Sequence, residues 1–287
     1  MDAPELVALL SGRRIAVLTG AGISTDSGIP DYRGPDSPPA NPMTIRQFTG
    51  SREFRQRYWA RNHLGWKHMA ATEPNAGHRA LAELERAGVV TGVITQNVDL
   101  LHTKAGSRTV INLHGTYAQV VCLRCHHTMS RADLAEMLEA ANPGFSERAE
   151  TVGGLAVAPD ADAVVDDTAS FTFVDCPACG GMLKPDIVYF GESVAKEVVE
   201  QAYSLVDQSD VLLVAGSSLT VFSGYRFVRH AAARTVPIAI INRGPTRGDD
   251  LASVKIDAGC SPILTLLADE LAVCADVSST VSGPKLA

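Results

Sequence analysis

What the 287-residue sequence lacks narrows its function first. It has no surplus of positive charge. Against 25 Lys and Arg stand 32 Asp and Glu, a net charge of −7, which argues against nucleic-acid binding as a main role. No run approaches the ~20 apolar residues that span a bilayer, so no membrane partner is expected. The opening MDAPELVALL is acidic with a short apolar run, unlike a signal peptide or an Arg/Ser-rich transit segment, and a cytoplasmic location is the expectation. There are no internal repeats. Six cysteines are too few for a disulfide scaffold in a chain of this length. What remains, 46% hydrophobic and 20% charged residues, is the composition of a globular chain that can bury a substantial core, as one large domain or a domain with an insert.

A further absence is more specific. The apolar run Ile15-Ala16-Val17-Leu18-Thr19 ends in Gly20-Ala21-Gly22, the build of a nucleotide-binding turn, where missing Cβ atoms let backbone N–H groups approach a pyrophosphate. The third glycine of the dehydrogenase fingerprint is missing, because Thr25 stands in its place. The chain continues instead into an irregular Ser/Asp/Gly/Pro loop through Gly28-Ile29-Pro30-Asp31-Tyr32-Arg33. A dinucleotide held under a folded-over loop is expected, and hydride transfer is disfavoured.

Four cysteines form two knuckles, Cys122-x-x-Cys125 and Cys176-x-x-Cys179, separated by a long insert. Each knuckle lets two sulfurs converge on one ion, and two knuckles complete a tetrahedron. A redox dithiol would not need a second copy. One structural zinc on Cys122, Cys125, Cys176 and Cys179 is expected, and a closed four-thiolate set leaves no position for substrate. His126 and His127 adjoin the first knuckle as surface residues.

Short, nearly continuous apolar runs at 14–18, 89–95, 109–113, 210–214 and 237–241 predict parallel strands buried on both faces, with helical patterns at 76–87 and 197–207. Right-handed crossovers between such units give an α/β, doubly wound, Rossmann-like sheet whose ligand sits at the carboxyl ends of the strands. Thr19-Gly20, Gln96-Asn97, His114 and Gly216-Ser217 all fall just beyond strand ends, which points to one site. The predicted organisation is a discontinuous nucleotide-binding domain (1–34, 75–115 and 186–275), a small helical lobe (35–74), a zinc-binding insert (116–185) with a long acidic loop at 142–175, and a flexible tail (276–287).

Taken alone, His114 reads as a satisfied partner of a neighbouring strand; at a strand end beside a nucleotide turn it reads as a base. Asn97 and Asp99 could equally cap the next helix. Three constellations decide the matter: the glycine turn, Thr95-Gln96-Asn97-Val98-Asp99 and Leu113-His114-Gly115. Together they resemble the sirtuins, the NAD-dependent protein-lysine deacylases. Arg57-Tyr58-Trp59-Ala60-Arg61-Asn62, Leu101-His102-Thr103-Lys104-Ala105-Gly106-Ser107, Leu183-Lys184-Pro185-Asp186, Gly216-Ser217-Ser218-Leu219, Ser223-Gly224-Tyr225-Arg226-Phe227 and Gly244-Pro245-Thr246-Arg247 are similar to the class II branch, and the chain reads as a bacterial member. The resemblance runs from about residue 13 to 271.

The resemblance implies NAD as co-substrate. His114 would deprotonate a ribose hydroxyl, with Asn97 on the ribose side, Asp99 and Ile29 on the nicotinamide carboxamide, and Ser24 ordering the ribose. Gly20, Ala21 and Gly22 would face the pyrophosphate, under the loop of Asp31, Tyr32 and Arg33. Gln96, Gly216, Ser217 and Ser218 would face the cofactor from the opposite half, and Asn242, Arg243 and Gly244 would contact adenosine. Cys260 matches a terminal cofactor contact and reads equally well as a small buried hydrophobe. The implied reaction attacks C1′ of the nicotinamide ribose with the acyl oxygen of an acyl-lysine and ends in nicotinamide, O-acyl-ADP-ribose and free lysine. Water must be excluded, or NAD is merely hydrolysed. The protein substrate would lie as an extended strand against Val188, Phe190, Gly191 and Glu192, with Ser223-Gly224-Tyr225 opposite.

Two other functions were weighed: protein mono-ADP-ribosyl transfer, with the same cofactor but another nucleophile, and a non-catalytic NAD or ADP-ribose sensor, which would tolerate loss of His114 or Asn97. Tyr58 and Arg61, three apart on a predicted helix, share one face and match a pair that binds the carboxylate of acidic acyl chains in desuccinylating sirtuins. They read equally as a packing tyrosine and a solvent-facing arginine. The protein targets and the oligomeric state are left open, with a monomer as the default.

Overall fold

The computed structural model describes residues 3–34, 42–150 and 168–280. Nine strands occur among them: β1 (Ile15–Thr19), β2 (Val90–Thr95), β3 (Val110–Asn112), β4 (Gly115–Cys122), β5 (Thr128–Ser130), β6 (Leu183–Ile187), β7 (Val211–Ala215), β8 (Ile238–Ile241) and β9 (Val254–Ile256). Six form a parallel sheet in the order β3-β2-β1-β7-β8-β9. The order reverses between β1 and β7, which opens a crevice at their carboxyl ends. The fold is α/β and doubly wound.

Both faces of this sheet are covered, which is why its strands read as unbroken apolar runs. Ile15, Val17, Val211 and Leu213 point into one core, shared with the helices Ala3–Leu10, Ala76–Arg86 and Cys260–Thr280. Ala16, Leu18, Leu212 and Val214 point into the other, shared with the helices Lys196–Asp207 and Phe222–Ala233. The helix Ala76–Arg86 starts at a capping box, with Asn75 accepting from the backbone of His78.

A second lobe carries a three-stranded antiparallel sheet, β5-β4-β6. Pro185, which has no N–H for a ladder, sits on its edge strand β6. The helices Ile45–Gly50 and Arg52–Ala71 pack on the same aromatic core, so both inserts share one interior: Phe48, Tyr58 and Trp59 meet Tyr117, Val120 and Leu183. The structure thus adds β4, β5, β6 and β9 to the predicted strands. The helix Cys260–Thr280 runs into the segment expected to be a flexible tail. The remainder of that tail, and 151–167 of the expected loop, lie outside the described residues.

Candidate active site

The crevice between the two halves of the sheet is a cavity of about 950 Å³, the upper range for a small-molecule site. Its floor is a double turn. Gly22 N–H donates to Gly216 O at 2.9 Å and Gly20 N–H to Ala215 O at 3.3 Å, locking the exit of β1 to the exit of β7. Any side chain here would obstruct that contact. A Cβ at Gly20 would stand 2.8 Å from Gly216 O, and Gly216 has φ +67°, with a Cβ that would run into Ile23 N. The bare backbone is therefore a cradle open to a phosphate group.

The cavity wall takes in predicted residues from every part of the chain: Gly20 to Gly22 and Ser24, Ile29 and Asp31 to Arg33, Gln96 to Asp99, His114, Val188 to Glu192, Gly216 to Ser218 and Asn242 to Gly244. Buried Asp99 accepts from Ser24 Oγ at 2.7 Å and from Leu101 N–H at 2.9 Å, so one carboxylate both caps a turn and orients the serine. Asn97 Nδ2 donates to Gly20 O and Ser24 Oγ, both at 3.1 Å. Gln96 Nε2 donates to Ser217 Oγ at 2.8 Å, across the crevice. These side chains tie β1, β2 and β7 into one rigid rim.

His114 is held from both sides. Nδ1 lies 2.8 Å from Gln96 O and Nε2 lies 2.7 Å from Ser223 Oγ. A carbonyl can only accept, so Nδ1 carries the proton, Nε2 presents its lone pair and Ser223 donates to it. Burial pushes the His114 pKa below its ordinary 6.5; the bond to Gln96 works against this, and the Arg226 cation adds to it. The ring is thus a neutral base at neutral pH. Gly115, at φ +76°, lets the following backbone pass against Asp186 of β6, where a Cβ would collide with the carbonyl oxygen. Val188 N–H then donates to His114 O at 2.8 Å, which fixes the segment 188–192 beside the base.

In that segment Glu192 accepts from Tyr189 N–H at 2.7 Å and from Lys184 Nζ at 3.0 Å, which shapes the turn and leaves Phe190 exposed. Tyr32, from the loop after the glycine turn, meets Phe190 edge-on with ring centroids 6.5 Å apart, so that loop touches the segment 188–192. Ile45 N–H donates to Phe190 O at 3.0 Å.

Five predicted residues are not brought to the cavity wall: Gly224 and Tyr225, expected opposite 188–192, lie in the helix beyond Ser223, and Tyr58, Arg61 and Cys260 lie elsewhere. Tyr58 is buried among Phe48, Trp59 and Tyr189, its hydroxyl 3.4 Å from that of Tyr117. Arg61, one turn on, is partly buried and does not line the cavity. Cys260 is buried at the start of its helix, beneath Ile241 O at 3.9 Å. The sequence reading missed Arg226 on the cavity wall, the bond of Ser223 to the base, and Asp257, whose carboxylate accepts from Gly244 N–H at 2.9 Å. No local spacing could signal these, since the partners lie far apart in the chain or on a short strand exit.

Apart from the cavity, Cys122, Cys125, Cys176 and Cys179 converge, with all four sulfurs within 4.8 Å of one another. The pairs Cys122–Cys179 and Cys125–Cys176 stand 3.6 and 3.8 Å apart. Sulfurs ~2.3 Å from a tetrahedral zinc lie about 3.8 Å apart, so the set fits that ion. Gly181 leaves room for it, since a Cβ there would stand 2.8 Å from Cys122 Sγ. His126 and His127 are exposed.

Comparison with known proteins gives a consistent picture. The Sir2 family profile matches residues 20–223. The chain is 78% identical over 270 residues to an NAD-dependent protein deacetylase 1 of Mycobacterium avium, covering 94% of this chain and 96% of the relative. It is 50% identical to an NAD-dependent protein deacetylase 1 of Streptomyces coelicolor (94% and 89% covered), and 45% identical to the mitochondrial NAD-dependent protein lipoamidase sirtuin-4 of Bos taurus (89% and 82%). Among solved structures it superimposes with a TM-score of 0.74 on a complex of Sir2, p53 peptide and NAD+, at 30% identity, covering 94% of this chain and 98% of that one.

Proposed function

The chain belongs to the Sir2 family, and from that premise we propose how its residues carry out NAD-dependent protein-lysine deacylation. It is an NAD-dependent protein deacylase with a Rossmann-like sheet, an NAD co-substrate and a four-cysteine zinc site. The observation that carries the mechanism is His114 on the cavity wall, its Nδ1 locked by Gln96 O and its Nε2 lone pair accepting from Ser223 Oγ, which lines the same cavity as the glycine turn.

NAD supplies an electrophilic ribose carbon with nicotinamide as its leaving group. Around it, the Cβ-free turn of Gly20, Ala21 and Gly22, whose Gly20 and Gly22 N–H groups are spent on Ala215 O and Gly216 O, would let the pyrophosphate come close to the backbone, under the loop of Ile29, Asp31, Tyr32 and Arg33. Ser24 and Asp99 orient the nicotinamide end, and Asn97 the ribose. Gly216, Ser217 and Ser218 close the opposite side, with Asn242, Arg243 and Gly244 at the adenosine. His114 Nε2 takes the proton of a ribose hydroxyl, and the rim excludes water that would otherwise intercept the activated sugar. The substrate would lie as an extended strand between Val188–Glu192 and the Val221–Ser223 side of the crevice, with Gly224 and Tyr225, expected there from sequence, set back from it, and would pair through its main chain. A Sir2Tm structure with a propionylated peptide supports peptide capture in this fold. Cys122, Cys125, Cys176 and Cys179 hold one zinc that frames the lobe and takes no part in the chemistry. Cys260 underpins the adenosine end from its buried position.

We place the enzyme in the cytoplasm, which keeps the four thiolates reduced. Among the described residues no helix is long and apolar enough to cross a membrane. For the domain division the proposal stands as 1–34, 75–115 and 186–275 for the nucleotide-binding part, 35–74 for the helical insert and 116–185 for the zinc insert, the two inserts sharing one interior. For Tyr58 and Arg61 the proposal stands that they favour a carboxylated acyl chain.

The test is incubation with NAD and a panel of acyl-lysine peptides, scoring nicotinamide. Release that depends on the acyl-lysine supports deacylation. Release without it, with ADP-ribose on protein, favours mono-ADP-ribosyl transfer, and tight NAD binding without release favours a sensor.

A further inference from the structure

Ser223 is the second residue of the helix Phe222–Ala233, whose N-cap is Val221, so its hydroxyl is not needed to cap the helix. Its Oγ goes to His114 Nε2 at 2.7 Å. The helix start is brought there by Gly224, whose missing side chain leaves room for the amide of Gln96; a Cβ would stand 2.5 Å from Gln96 Oε1. Gln96 therefore serves twice. Its carbonyl fixes the proton on Nδ1, and its side chain seats the helix that brings Ser223 to Nε2.

We propose that Ser223 is a positioning residue for the base: its hydroxyl holds the Nε2 lone pair on axis until a ribose hydroxyl replaces it at the same spot. The proposal rests on reading His114 as the base. Nε2 has one lone pair, so the serine and the ribose hydroxyl cannot both donate to it. The serine bond belongs to the enzyme before the ribose is seated, and the ribose bond to the loaded complex. In the first state the donor favours the neutral ring, because protonation of Nε2 would force the bond to reverse. The charged group that also acts on the ring is Arg226, one turn along the same helix; it stays in place when Ser223 is changed.

This gives a kinetic signature that a purely structural serine lacks. The acid limb of kcat/KM for NAD reports the enzyme before NAD binds, and the acid limb of kcat reports the loaded complex. In Ser223→Ala the limb of kcat/KM moves to higher pH by about half a pH unit or more, while the limb of kcat stays. Ser223→Thr, which keeps the hydroxyl, restores the wild-type limb. Titration of the His114 ring nitrogens by NMR in the NAD-free enzyme moves in the same direction, and this readout needs no activity. An unmoved NMR midpoint in Ser223→Ala, or a threonine variant that behaves like alanine, overturns the proposal. A midpoint that moves without the limb of kcat/KM overturns the assignment of His114 as the base.

Discussion

At position 216 a hydrogen atom in place of a side chain decides whether two halves of the cofactor turn can meet. The residue is left-handed, its Cβ would run into Ile23 N, and its carbonyl accepts from Gly22. Gly216→Ala should cost about 1–2 kcal/mol from φ, with the steric clash against Ile23 N added, and weaken NAD binding tenfold or more. Thermal melts with and without NAD check this, and wild-type melting and affinity in the variant would refute it. At this scale the sequence was legible wherever chemistry and backbone need coincide. Glycines after a strand, amides at a strand exit and a His-Gly pair each announce themselves. The bond of Ser223 to His114 did not, because the sequence offers Ser223 only as part of the expected slot wall and its partner is 109 positions away.

Among the elements, the three-stranded sheet depends most on something other than its own core. β4 ends at Cys122, and the second knuckle lies just before β6, so a zinc held there would staple the two strands at the edge of their shared core. In Cys176→Ala the zinc should leave and β4, β5 and β6 lose protection from hydrogen exchange, with activity falling as the slot wall at 188–192 loosens. Metal analysis beside exchange measures this. A zinc-free chain with full protection would refute it. The helix Arg52–Ala71 bears on the acyl question. Tyr58 is part of its aromatic core, so the packing account of that residue explains its burial without any ligand. Comparing acetyl and glutaryl peptides with Arg61→Met decides the acidic-acyl proposal: a glutaryl preference lost in the variant upholds it, and an acetyl preference untouched by the change ends it.

The elements of the main sheet were legible because burial on both faces leaves little but Val, Ile, Leu and Ala in β1, β7 and β8. The strands of the zinc lobe were not. β4 begins at Gly115 and ends at Cys122, β5 has only three residues, and β6 carries Pro185 and finds its partner β4 across a long insert. The three residues of β9 are too few to show a period.

For the whole molecule, the reversal of strand order between β1 and β7 explains why one site gathers residues from 20 to 244. Beneath it lies a pair of buried histidines. His78 and His102 meet with ring centroids 4.8 Å apart, and His102 Nε2 lies 3.0 Å from Thr19 Oγ1 at the end of β1. Burial holds His78 down to about 4 and His102 well below 6.5. The unfolded chain takes up protons below about 6.5 and the folded one does not, so stability is level above that pH and falls as pH drops toward 4. Each histidine removes up to ~1.4 kcal/mol per pH unit across that window. Urea melts at pH 8, 6.5 and 5 test this, and equal stability at all three would contradict it.

The measurement that bears most directly on the account is a single comparison of wild type and His114→Ala with NAD and an acyl-lysine peptide, quantifying nicotinamide, O-acyl-ADP-ribose and bound NAD. The account predicts equimolar nicotinamide and O-acyl-ADP-ribose from the wild type, and deacylation slower by ~10²–10⁴-fold in the variant with NAD affinity largely kept. Near-normal turnover in His114→Ala would contradict it.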